Sequence, residues 1–145
     1  MRIVDLVWTV MAISKHRFMV WLAILGRLLT RERKQKQHIQ VDDTNYIFCE
    51  EKVMDTNVHL FEVCKWIEIV WQGITQWTGI AITNNGIKQV LERIKRKHWK
   101  QFQKETIAAL CGAILYHTWR ARNWKKFKGK HVHTEEVVSQ IKKRL

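Results

Sequence analysis

The sequence predicts an all-α protein: a small helical domain around an irregular Cys/His loop, followed by a long basic helix and a short C-terminal helix. Three observations carry this. The chain has no proline and only six glycines in 145 residues, a composition that favours long helices over turn-rich β structure. Apolar residues recur at three- and four-residue spacing along most of its length. Its hydrophobic content of 46% includes eight tryptophans, enough for a core and too much for a disordered chain.

Met1–Ile13 is short and mostly apolar, and reads as a strand or a helical turn packed on the core. Ser14 is the expected N-cap of the next helix, because its hydroxyl can accept a bond from an unpaired first-turn amide. Phe18, Trp21, Leu22, Leu25, Leu28 and Leu29 form that helix's expected core stripe. Thr30 then caps a short, very basic helix over residues 31–36. Val41–Asn57 is polar and acidic and reads as a loop, which something must hold in place.

The helical pattern resumes at Val58, with Leu60, Val63, Ile67, Val70, Trp71, Ile74 and Trp77 on one face and Gly79 as its end. Thr83 is the expected start of another helix, buried through Ile87, Val90, Leu91 and Ile94. A long helix follows from about Trp99 to Phe127, with a stripe of Phe102, Ile107, Leu110, Cys111, Ile114, Leu115, Thr118 and Trp119, and Gly129 breaks it. The last helix runs from Thr134 to Leu145. Glu135 and Glu136 lie in its first turn and Lys142, Lys143 and Arg144 in its last, both matched to the helix dipole.

Charge divides the chain. The net is +13 at neutral pH. Residues 1–87 hold ten Lys/Arg against nine Asp/Glu, whereas residues 88–145 hold sixteen against four. Such asymmetry points to a polyanionic partner for the C-terminal part. Within it, Trp119, Arg120, Arg122, Asn123, Trp124, Lys125, Lys126, Phe127 and Lys128 interleave cations with aromatic rings, the mixture that single-stranded nucleic acid binding uses, and Trp124 and the Lys/Arg cluster are its better candidates. Lys95, Arg96 and Lys97 form a second basic cluster, and Arg31, Arg33 and Lys34 a third. The alternative for all three is a solvated basic face, with Trp119 as core.

Cys49, His59 and Cys64 have the residue types and spacing of a zinc clasp, since structural zinc takes four Cys or His ligands in a tetrahedron. A fourth ligand at position 46 would complete C-x-x-C, but that residue is Tyr46, a poor zinc ligand at neutral pH. The site is one ligand short. The plainer alternative is ordinary buried thiols and a helix-start histidine. Cys111 lies on an apolar stripe and is expected to be core. His131 and His133 lack a third ligand nearby. No nucleophile–base pair or carboxylate cluster stands out, so no enzyme activity is expected. Three cysteines and no visible secretory signal favour a reducing, intracellular compartment. The longest apolar run, Phe18–Leu25, is too short to span a bilayer, and no membrane partner is expected.

In order along the chain, SKHRFMVWLAILGRLLT (Ser14–Thr30), Asp42–Cys49, HLFEVC (His59–Cys64) and Ile69–Trp71 resemble the zinc-binding domain that follows the reverse transcriptase in plant LINE-type (non-LTR) retrotransposons. The tail YHTWRARNWKKF (Tyr116–Phe127) is similar to a W-x-x-R-N…F segment found after that domain. Two departures stand out: Ser14 replaces the family's usual Pro, and Tyr46 replaces its first Cys. The resemblance implies Cys49, His59 and Cys64 as zinc ligands. It also implies a zinc-binding-like domain over residues 1–80, a basic helical extension over 81–145, and origin as a fragment of a retrotransposon polyprotein or as a degenerate genomic copy of one. The polymerase Asp-Asp motif is absent. The expected function is a non-catalytic module binding RNA or DNA without sequence preference; the alternative is a structural or protein-interaction helical domain with no nucleic-acid ligand.

Overall fold

The longest apolar stripe of the sequence becomes the centre of the fold. The computed structural model describes residues 3–8, 12–28, 30, 60–61, 64–80, 84 and 86–143. Among them are six helices and no strand: α1 (Ile3–Val7), α2 (Ser14–Ile24), α3 (Lys65–Thr78), α4 (Ile87–Arg96), α5 (Gln101–Lys128) and α6 (Thr134–Lys143). The all-α expectation holds. None of the described helices is long and apolar enough to cross a membrane.

Helix α5 is about 42 Å long at the usual rise per residue. Its middle, Ile107–Leu115, is buried on every side. Helices α1, α2, α3, α4 and α6 all pack against it, and α3 packs along α6. Gly112 lets α2 approach α5 closely: a Cβ added there would lie 3.3 Å from Val20 Cγ2. One hydrophobic cluster draws on both halves of the chain, from Leu6 and Val20 through Ile67 and Val70 to Ile114, Val137 and Ile141. The buried Thr118 hydroxyl donates to the Ile114 carbonyl at 2.7 Å, which satisfies it within its own helix.

Glycines end helices as anticipated. Gly79 and Gly129 adopt left-handed conformations (φ 72° and 63°), where a side chain would be strained. Gly79 N–H donates to Thr75 O, and Gly129 N–H to Lys125 O.

Several expectations need correction. Ser14 is the first residue of α2 rather than its cap; Ile13 precedes the helix, and the Ser14 hydroxyl accepts a bond from Arg17 at 3.0 Å. The buried face of α2 is His16, Val20 and Ala23, whereas Phe18 (57% exposed) and Leu25 face outward. The segment is apolar nearly all round, so its own pattern did not choose a face; the buried one, with His16 and Val20, packs over Gly112 of α5. Phe102 is 65% exposed: it lies on the side of the first turn of α5 opposite Lys104, which reaches the end of α4. Trp77 is exposed near the end of α3, whereas Trp66 is buried and donates from Nε1 to Val132 O at 3.0 Å. Helix α4 begins at Ile87, after Gly86 (φ 103°), with Asn84 bracing the turn through a bond to Phe61 O. The basic helix expected over 31–36 and the loop over 41–57 lie outside the described residues.

Candidate nucleic-acid interface

The basic residues of the C-terminal half fall into two groups at opposite ends of α5. Lys95, Arg96 and Lys97 close α4, where the carbonyl end of the helix favours cations. Arg96 and Lys97 are exposed. Lys95 is half-buried, and its carbonyl accepts a bond from Lys104 Nζ at 2.8 Å. Lys97 Nζ lies 5.7 Å from the centre of the Trp99 ring.

The second group lies about 30 Å away by the helical rise from Lys104, at the C-terminal end of α5. There Lys125 and Lys126 are half-buried and Lys128 and Lys130 exposed. Gly129 turns the chain so that the Lys130 amide donates to Trp124 O at 3.2 Å. This brings Lys130 Nζ to 4.5 Å from the Trp124 ring centre, while the Arg120 guanidinium carbon stands 4.2 Å from it. Trp124 thus carries two cations on a half-buried ring, each attracted to its π system.

Arg122 does not join this surface. It is 1% exposed, its guanidinium lies 4.8 Å from the Trp119 ring centre, and Nη1 donates to Asn123 Oδ1 at 2.8 Å. A guanidinium so enclosed has no phosphate to reach. Trp119 packs partly buried against the core, as the stripe indicated. Phe127, part of the interleaved stretch, is 67% exposed with Lys126 Nζ 5.1 Å from its ring centre, whereas Lys130, just beyond that stretch, was not among the expected contacts. The spacing 120, 124, 127 places Phe127 beside Trp124 on one helix face.

Of the candidate zinc ligands, Cys64 is described. It is fully buried immediately before α3, and its carbonyl accepts the Glu68 amide at 3.1 Å. Cys49 and His59, with Tyr46 and the cluster Arg31, Arg33 and Lys34, lie outside the described residues. No group of three or more His, Cys, Asp or Glu residues able to hold a metal occurs among those described. As a donor set, two thiols and an imidazole suit zinc with three protein ligands. Cys111 is a different case: burial pushes its thiol up from about 9 to about 12, the behaviour of a core residue rather than a ligand.

Residues 1–71, just under half of the chain, match a family described as zinc-binding in reverse transcriptase. That family implies zinc binding. No curated protein and no solved structure matches the chain.

Proposed function

We propose that this chain is a non-catalytic nucleic-acid-binding module, a piece of a plant LINE-type retrotransposon reverse-transcriptase polyprotein with a depleted zinc site. The observation that carries the reading is the grouping of Arg120, Lys125, Lys126, Lys128 and Lys130 around one helix end. Such a grouping neutralises phosphates and releases their counterions, giving affinity for RNA or DNA alike with little sequence preference. Lys95, Arg96 and Lys97 form a second contact at the far end of α5, and Arg31, Arg33 and Lys34 a third. The family match over residues 1–71 supports the parentage. Residues 1–80 are the zinc-binding-like part and 81–145 the basic extension, with helices of both meeting in one core.

Cys49, His59 and Cys64 are the residues that would hold zinc, with Tyr46 at the position of the missing ligand. Bound zinc would tie the segment from Cys49 to the start of α3. In the parent protein the module would hold template RNA or target DNA near the polymerase.

A salt series tests the nucleic-acid reading. Each phosphate contact on a single strand contributes about 0.7 to the slope of log affinity against log salt. Engagement of the five cations at the end of α5 therefore gives a slope of about 3 to 4. Absence of binding even at low salt rejects the reading. In that case a protein-interaction role is favoured by the open groove of about 500 Å³ between α3 and α6, lined by Ile69, Gly73, Trp77, Val138 and Lys142.

A further inference from the structure

One face of α5 carries Tyr116, Arg120, Trp124 and Phe127. Steps of four, four and three residues align them on the helix surface over about 16 Å. Each ring has a cation against it. Lys15 Nζ lies 4.8 Å from the Tyr116 ring centre, Arg120 and Lys130 lie beside Trp124, and Lys126 beside Phe127. Exposure rises along the stripe: Tyr116 and Trp124 are half-buried, whereas Phe127 is 67% exposed, between Lys126 and Lys128 in the last turn.

A duplex offers phosphates to such a surface but keeps the faces of its bases stacked inside. A single strand offers both phosphates and open base faces. Lysines alone would serve either, but a largely exposed phenyl ring set among them is matched only by the second. We infer that the Tyr116–Phe127 stripe is a single-strand site, in which a base stacks on Phe127 while Arg120, Lys126, Lys128 and Lys130 hold the flanking phosphates. This rests on the nucleic-acid reading and narrows it. Sixteen ångströms accommodates about five nucleotides at the stacked spacing of about 3.4 Å, and fewer in a drawn-out strand. Trp124 braces the cations, because two already occupy its ring, and Phe127 provides the stacking surface.

The test uses the full chain, dye-labelled oligothymidylate, and a duplex of the same length, with binding read by fluorescence anisotropy at low salt. Stacking on an aromatic side chain corresponds to a loss of about 5- to 150-fold per base on alanine substitution. The expected result is a preference for the single strand. Phe127→Ala should weaken single-strand binding by about 10-fold and leave duplex binding and the salt slope unchanged, because no phosphate contact is removed. Phe127→Trp, which keeps a ring, should bind as the wild type does. Equal binding of both probes, or equal losses in Phe127→Ala and Phe127→Trp, overturns the single-strand site while leaving nucleic-acid binding in place. Failure of the wild type to bind either probe overturns both.

Discussion

Gly112 lies where α2 crosses α5, so Gly112→Ala probes the contact that joins the N-terminal segment to the central helix. A Cβ there would stand 3.3 Å from Val20 Cγ2, 3.7 Å from His16 Cβ and 3.8 Å from His16 O. The last two are ordinary contacts; the first requires Val20 to yield by a few tenths of an ångström. In its favour, alanine is better than glycine inside a helix by about 1 kcal/mol. Against it, overpacking a well-filled core costs about 1–3 kcal/mol. Val20 is buried and β-branched, with one strongly preferred rotamer in a helix, so relief requires α2 itself to shift. The balance is a net loss of about 1 kcal/mol. Val20→Ala alone removes two methyl groups from the core and costs about 1.5 kcal/mol. Together the two substitutions should lose less than their sum by about 1 kcal/mol, since the shorter side chain vacates the space the new methyl needs. Urea unfolding followed by tryptophan fluorescence measures all four proteins. If Gly112→Ala stabilises by the full helical gain and shows no coupling to Val20→Ala, the α2–α5 packing is refuted.

Other expectations follow from single contacts. Trp66→Phe leaves the buried Val132 carbonyl without its 3.0 Å donor and should cost about 1–2 kcal/mol in the same urea assay; an unchanged midpoint would contradict that contact. The Cys111 thiol holds its proton to about pH 12 in the folded state but only to about 9 when unfolded. Its contribution to stability is therefore intact below pH 9 and falls as pH rises from 9 towards 12, by up to about 1.4 kcal/mol per unit. Cys111→Ala should flatten the alkaline limb of urea midpoint against pH relative to wild type, and parallel curves would count against the burial. For the metal, three ligands should bind zinc weakly. Elemental analysis after dialysis against a mild chelator should find about one zinc per chain in Tyr46→Cys and much less in the wild type. Equal contents would mean that position 46 is no part of the site.

Helix α5 was legible in the sequence almost to the residue, because its apolar stripe is unbroken from Ile107 to Thr118 and Gly129, after the last apolar residue, suits a left-handed C-cap. Helix α3 was legible in its body, through Ile67, Val70, Trp71 and Ile74, but not in its start: the apolar pattern runs on from Val58, whereas Cys64 is extended (ψ 135°) and the helix begins at Lys65. Helix α2 was legible as a helix but not in its orientation: Phe18 and Leu25 looked as suitable for a core as Val20 and Ala23. Gly112, against which Val20 and His16 pack, lies about ninety residues away. The Ser14 cap failed because the helix begins one residue earlier than a cap at Ser14 requires: Ile13 is the extended residue whose carbonyl accepts the first amides, from His16 and Arg17. At the candidate interface, charge was legible and geometry was not. Composition gathers Arg120 and Arg122 into one cluster, yet two residues along a helix is more than half a turn, so one reaches the outer face and the other is enclosed beside Trp119. Likewise, Lys95–Lys97 and Lys125–Lys128 belong to one basic half of the sequence but to opposite ends of one long helix. Of the zinc clasp, only Cys64 falls within the described residues, and its burial at the entry to α3 suits a ligand and a core thiol equally.

The most direct measurement is photo-crosslinking of the full chain to a short oligonucleotide carrying a photoreactive base, with the attached peptides mapped by mass spectrometry. The account predicts crosslinks within residues 116–130, at Phe127 and its neighbours, lost as salt rises. Crosslinks confined to other segments, or none at low salt, would contradict it.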